Sequence, residues 1–275
     1  MEEIYLESRS DIVPADIEAA VDSLLRQFPN AERVLIVPPD YTRCFSMAGE
    51  LTQLLYKCLH RTAEIDIMPA VGTHAMLSAD ERQKMFGDIP ADVFLYHRWQ
   101  TDTVRIGEIP AELVAKISEG NFAEPIDIEV NRRFWEGGYD LILSVGQVVP
   151  HEVVGMANYS KNIFVGLGGR QMINKSHMLG AICGIEQALG NDHAPARQLF
   201  DYAQEHCLQG LPLVYLLTVT TTDHAGTHLH GLYIGDSRKP FEKAVALSQK
   251  RNITYLDRPA KKIVAYLDPY ELKTT

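Results

Sequence analysis

Little in this chain points to cross-links, membranes or nucleic acid. Only four cysteines occur in 275 residues, Cys44, Cys58, Cys183 and Cys207, and no two form a CxxC pair. Thiols so widely spaced read as reduced side chains of a cytoplasmic protein, not as a disulfide framework or a thiolate metal site. No run of about eighteen apolar residues is present, so no membrane span is expected. The N-terminus, MEEIYLESRS, is polar and acidic where a secretory signal would be basic and then apolar. Clusters of basic residues are also missing. Twenty-six Lys+Arg against 36 Asp+Glu give a net charge of −10, and the densest basic runs are the doublets Arg132-Arg133 and Lys261-Lys262. A phosphate-backbone partner is therefore not expected.

What remains is an ordinary globular composition, 46% hydrophobic and 23% charged. At this mass about three quarters of the extended-chain surface leaves water on folding, enough for a core without staples. From Arg33 onward short apolar runs rich in β-branched residues alternate with amphipathic stretches. This is the pattern of a mostly parallel sheet flanked by helices. Strands are predicted over 33–40, 63–72, 92–97, 103–110, 212–220, 229–236 and 261–268, the one at 103–110 at an edge. An extended segment from 124 should lead into a central strand ending at Val145-Gly146. Helices are predicted over 47–61, 78–87, 178–190, 195–208 and 239–251; Ser78 and Glu81 have capping-box spacing. Residues 148–177 show little periodicity and read as a long functional loop. The chain stops almost directly after its last predicted strand, so 1–260 reads as one α/β domain and 261–275 as the start of a lobe that is otherwise absent.

Sites in open α/β sheets lie at the C-terminal strand ends, and that is where the chemistry-bearing residues fall. His74 follows a strand in AVGTH, His151 follows one in VGQVVPH, and His177 closes INKSH. Imidazole takes and returns protons near neutrality, so two on opposite faces of a substrate suit two-directional proton chemistry, and a third can ligate a transition metal. Asp40-Tyr41-Thr42-Arg43 occupies another strand end, with Arg43 suited to a carboxylate or phosphate. Lys161, between Ser160 and Asn162, is a candidate covalent or electrostatic anchor. Gly166, Gly168 and Gly169 allow close backbone approach to a ligand such as a phosphate. The chain has neither GxGxxG nor GxxxxGK[ST], which disfavours a standard dinucleotide or P-loop site. A competing cluster, His224, His228 and His230 beside Asp223, has the close spacing used by zinc hydrolases.

The order Asp40-Tyr41-Thr42-Arg43, Gly72-Thr73-His74, Pro150-His151, Lys161, His177 resembles the nickel-pincer-dependent lactate racemase family. The resemblance runs over about residues 33–268. It implies an isomerase that racemises or epimerises a 2-hydroxy acid by reversible hydride transfer to a nickel pincer nucleotide. It further implies that His74 and His151 are the paired acid/base catalysts and that Asp40, Tyr41, Thr42 and Arg43 contact cofactor and substrate. Lys161 would carry the cofactor through a thioamide, and His177 would coordinate its nickel. The implied partners are a small 2-hydroxy acid and the enzymes that build the cofactor and insert nickel. The alternatives are a zinc-dependent hydrolase built on His224, His228 and His230, and a non-catalytic lobe or fragment of the same family.

Overall fold

The computed structural model describes residues 1–258 and 260–264. The chain opens with strand β1 (Ile4–Glu7) and helix α1 (Pro14–Leu25), then alternates β2 (Arg33–Val37), α2 (Ala48–Leu59), β3 (Glu64–Ile67) and α3 (Ala79–Phe86). A ribbon of β4 (Thr103–Ile109) and β5 (Ile126–Asn131) follows, with α4 (Ala111–Ile117) between them and α5 (Arg132–Glu136) after. Strand β6 (Leu141–Gln147) leads into a small hairpin, β7 (Pro150–His151) and β8 (Gly155–Met156). Then come α6 (Ser160–Phe164), α7 (Arg170–Cys183), α8 (Ile185–Ala188) and α9 (Pro195–Cys207). A long hairpin of β9 (Leu213–Asp223) and β10 (Gly226–Gly235) precedes α10 (Lys239–Asn252).

Among the described residues six strands form the central sheet in the order β1-β10-β9-β6-β2-β3. β3, β2, β6 and β9 run parallel, in registers such as Val34↔Ile65, Val34↔Leu141 and Ile142↔Leu213. β10 and β1 add an antiparallel flank. The two-residue period of a strand sorts side chains to opposite faces. Val34, Ile36, Leu141 and Leu143 pack with Ile17, Val21 and Leu24 of α1 and Leu51 and Leu55 of α2. Leu35, Val37, Ile142 and Leu217 pack with Met172 and Leu179 of α7, Phe200 of α9 and Phe241 of α10. Burial of both strand faces explains why these strands read as continuous apolar runs, each such side chain contributing about 1.5–3 kcal/mol of transfer free energy.

Several expectations need correction. Residues 148–177 are not an irregular loop: they fold into the β7-β8 hairpin, α6 and the first half of α7. The helix expected over 178–190 begins at Arg170 and breaks at Gly184, whose φ of 87° few other residues adopt. The 92–97 run is a 3-10 turn, Ala91–Val93, with one bridge between Ile67 and Phe94. The strand over 103–110 is not an edge of the central sheet but pairs only with β5. β1 and α1 precede the alternation read from Arg33. Of the last predicted strand, 261–264 carry no strand and 265–268 lie outside the described residues.

Candidate functional site

All four parallel strands end at the same sheet edge, and the loops that leave them enclose a cavity of about 690 Å³. That volume suits a cofactor with a small substrate. Asp40, Thr42 and Arg43 enter it after β2 and His74 after β3. His151 enters after β6, Lys161 from α6 and His177 from α7. Residues 103 positions apart in sequence, from His74 to His177, thus share one chamber.

Asp40 organises the turn after β2. Its Oδ1 accepts from the Thr42 backbone N–H at 3.1 Å and from Thr42 Oγ1 at 2.5 Å, while Oδ2 lies 2.5 Å from His74 Nδ1. Burial alone would push this carboxyl up, but the bonds from His74 and Thr42 and the nearby positive charges win and hold it below its ordinary value. The His74 turn is anchored from below. Gly72, at φ 56°, donates its N–H to the Gly166 carbonyl at 2.9 Å, and an added Cβ would stand 3.2 Å from the Val165 carbonyl. With Nδ1–H given to Asp40, the neutral His74 ring keeps its lone pair on Nε2.

His151 is held the opposite way. It is buried, and its Nδ1 accepts the Val153 N–H at 3.1 Å, so the neutral ring carries its proton on Nε2. Burial first, then the charges of Lys161 and Arg43, hold its pKa well below the ordinary imidazole value. His177 Nδ1 donates to the Ile173 carbonyl one turn back at 2.7 Å, which leaves Nε2 as a free lone pair. Burial outweighs that bond and keeps His177 neutral to below the usual pH.

Lys161 is the second residue of α6, fixed in place by Asn162, whose Nδ2 donates to the Val37 carbonyl at 3.2 Å and to Ser144 Oγ at 3.0 Å. Among the described residues no hydrogen bond or ion pair holds Lys161 Nζ. Burial and the like charge of Arg43 lower its pKa to about 8, so a useful fraction of free amine exists near neutrality.

Other predicted residues lie elsewhere. Tyr41 does not line the cavity; it packs against the core on the α1 and α2 side. Gly166 lines the cavity, but Gly168 and Gly169 do not. A Cβ on Gly168 would meet the Phe164 carbonyl at 1.9 Å, and one on Gly169 would meet Glu129 at 2.6 Å. Glu129 also takes the Gln171 N–H at the start of α7 at 2.7 Å, so a carboxylate already fills the place proposed for a phosphate. The second histidine cluster is not a three-ligand metal site. His224 is exposed, His230 bonds Thr221 and the Ser10 carbonyl, and His228 lies between Asp11 and Asp223. Those two carboxylates raise His228 to about 8, which favours the protonated form that cannot ligate. No group of three His, Cys, Asp or Glu among the described residues is placed to hold a metal ion.

Two features were missed in the sequence. Thr220, Thr221 and Thr222 close one wall of the cavity at the end of β9, with Gln147 of β6 bonded to Thr220 at 2.7 Å. Three threonines at a parallel strand's C-terminal end were a legible signal. Arg197 of α9, buried behind Lys161, left no such signal.

The molecule is an open-sheet α/β protein with a polar cleft at the C-terminal strand edge. The chain belongs to the lactate racemase N-terminal domain family, whose sequence profile matches residues 8–190. It is similar to a crystal structure of a protein from Thermotoga maritima, at 26% identity and a TM-score of 0.85, covering 92% of this chain and 63% of that one. It also shares the fold of the lactate racemase apoprotein from Thermoanaerobacterium thermosaccharolyticum, at 19% identity and a TM-score of 0.62, covering 86% of this chain and 55% of that one. The chain thus spans less than two thirds of either structure. No curated protein matches it at a significant level. No helix among the described residues is long and apolar enough to cross a membrane.

Proposed function

We propose that residues 1–260 form the catalytic lobe of a cytoplasmic racemase or epimerase acting on a small 2-hydroxy acid, with a nickel pincer nucleotide attached to Lys161. The observation that carries this reading is the shared chamber of His74, His151, Lys161 and His177, in which His74 and His177 present an Nε2 lone pair and His151 an Nε2–H. The donor set fits the cofactor. His177 presents an unprotonated Nε2 because its other nitrogen is bound to a backbone carbonyl, the arrangement that orients a metal-ligating histidine. A single protein ligand would suffice where the cofactor supplies the rest. Lys161 offers an amine of lowered pKa without a competing partner.

When bound, the group would supply a reversible hydride acceptor. The chain's own residues do the rest. Arg43 binds and orients the substrate carboxylate by its planar fork. His74 Nε2, backed by Asp40, takes the proton of the substrate hydroxyl. His151 acts on the other face as the imidazolium, gaining a solvent proton on Nδ1 in place of the Val153 bond, so that giving up Nε2–H leaves a neutral ring with an Nε2 lone pair. For the other enantiomer the two roles exchange, which is what racemisation requires. Asp40 and Thr42 keep the turn in register through both directions.

The test is protein from its native host, or co-produced with the cofactor-building and nickel-inserting enzymes the reading requires as partners. Intact mass should show a nucleotide-sized adduct that maps to Lys161, and a panel of chiral 2-hydroxy acids should include one that racemises. His177→Ala should lose nickel and keep the adduct, whereas His228→Ala should change neither. Unmodified Lys161, or a loaded protein inert toward the whole panel, overturns the reading.

A further inference from the structure

Arg197 has no part in the reading above, yet it is the largest fully buried side chain, at 0% exposure. Its guanidinium makes no ion pair among the described residues. Nη1 donates to Ser160 Oγ at 2.8 Å, and Nη2 donates to the carbonyl of Met156 and, at 3.2 Å, to that of Asn158. Nε is buried without a partner, and the ring of Phe241 lies 4.8 Å from the guanidinium carbon. The nearest carboxylates are otherwise engaged. Asp201 accepts from Ser160 Oγ at 3.1 Å and pairs with Arg238, which also holds Asp192. A buried cation met only by carbonyls, a hydroxyl and a ring is costly and calls for a reason.

All of its hydrogen bonds fall on one turn, Met156 to Ser160. In that turn Asn158 and Tyr159 adopt φ of 66° and 56°, and a bulky tyrosine there is a genuine outlier. Such backbone persists only where its surroundings over-determine it. Tyr159 is gripped by stacking on Phe241, by contact with Tyr215 and by a 3.0 Å bond from Gln204. Asn158 fits over Gly146 at the end of β6, where any Cβ would lie 1.9 Å from its amide. The residue directly after this turn's last is Lys161.

We propose that Arg197 is a positioning residue for the anchor amine: from its buried seat it clamps the strained 156–160 turn so that Lys161 emerges into the cavity. The proposal rests on the reading of Lys161 as the attachment point. Only a planar fork reaches a hydroxyl and two carbonyls of one turn at once, which neither lysine nor a neutral side chain can do. The buried charge acts in the same direction, since it adds to the causes that lower the proton affinity of both Lys161 and His151.

The test uses the full-length protein prepared without the cofactor-building enzymes. Lys161 is labelled with an amine-reactive reagent at graded pH and quantified by peptide mass spectrometry, and backbone hydrogen exchange is followed over 156–162. Wild type should label with a midpoint near 8. Arg197→Met should move the midpoint upward, since it removes one of the charges that lower Lys161, and should exchange at least tenfold faster in the turn. Arg197→Lys, which keeps charge but not the fork, should hold the midpoint near that of wild type and exchange at least tenfold faster in the turn. A folded Arg197→Met protein with unchanged exchange over the turn overturns the proposal. If that variant does not fold, Arg197→Lys decides, and unchanged exchange over the turn overturns it. Adduct mass on protein from the native host tests the attachment point by itself, so failure of that reading is seen separately.

Discussion

Asp40 Oδ2 and His74 Nδ1 meet at 2.5 Å across 34 residues of sequence, which joins the turn after β2 to the turn after β3. The carboxylate fixes the ring's tautomer and orientation, and supports the cation formed when Nε2 takes a proton. Among the described residues His151 has no such close carboxylate, its Nδ1 taking a backbone N–H and lying 3.4 Å from Glu152. The two imidazoles are therefore unequal before any substrate arrives.

Replacing Asp40 by Asn removes the acceptor that holds His74 Nδ1–H while keeping the shape of the turn. Racemisation should fall by about 10²–10⁴-fold, as expected when a general base loses its orienting carboxylate. The adduct on Lys161 should remain. Chiral chromatography of product and intact mass of the same sample check both halves, and turnover within a few-fold of wild type would remove Asp40 from this role.

Lys161 works against stability. Its pKa is about 8 in the folded chain against an ordinary 10.5, so between those values the unfolded chain binds more protons and wild-type stability rises with pH. Below 8 the full penalty applies. In protein free of cofactor, Lys161→Met should therefore be the more stable form at pH 7, by up to about 3 kcal/mol before water in the cavity lessens it. The advantage should fade as pH approaches 10.5. Urea unfolding at pH 7 and pH 10 measures this, and a variant less stable than wild type at pH 7 would contradict it.

His97 gives the fold an acid sensitivity of its own. It is buried, with Nε2 on the Gly168 carbonyl at 3.1 Å and Nδ1 accepting from Asn131 Nδ2 at 3.0 Å, and burial lowers its pKa against the bond to Gly168. The unfolded chain takes up the proton first as pH falls. The contribution is therefore complete above about 6.5 and is lost as pH drops through the folded value. His151 and His177 act in the same sense. His97→Gln should shrink, without abolishing, the difference in unfolding free energy between pH 7 and pH 5. An unchanged difference would show that His97 is not a source of it.

Much of this was legible in the sequence. β2, β6 and β9 are buried on both faces, so their runs of Val, Leu and Ile declare themselves, and the rule that sites sit at strand ends then leads to Asp40, His74 and His151. α7 was harder. Its buried positions, Met172, Ile173, Ser176, Leu179 and Gly180, have helical spacing, but two are small or polar because the helix packs closely on Val153 and presents His177 to the cavity. The glycines before it suggested a ligand loop, whereas Gly168 and Gly169 serve contact with Phe164 and Glu129. Tyr41 opens a 3-10 turn, Tyr41–Arg43, whose successive side chains face different ways, so it packs on the core while Thr42 and Arg43 face the cavity. Arg197 sits in an amphipathic helix where arginine ordinarily marks the solvent side, and nothing short of tertiary structure shows it turned inward.

On the proposed attachment, the lowered basicity of Lys161 bears on how a cofactor would find its place. In an unfolded chain Lys161 would return to its ordinary value of 10.5 and be almost fully protonated at neutral pH. Its distinct reactivity arises only after strands, α6 and α9 have assembled around it. Covalent loading would then discriminate by itself between finished and unfinished molecules, with no separate inspection step.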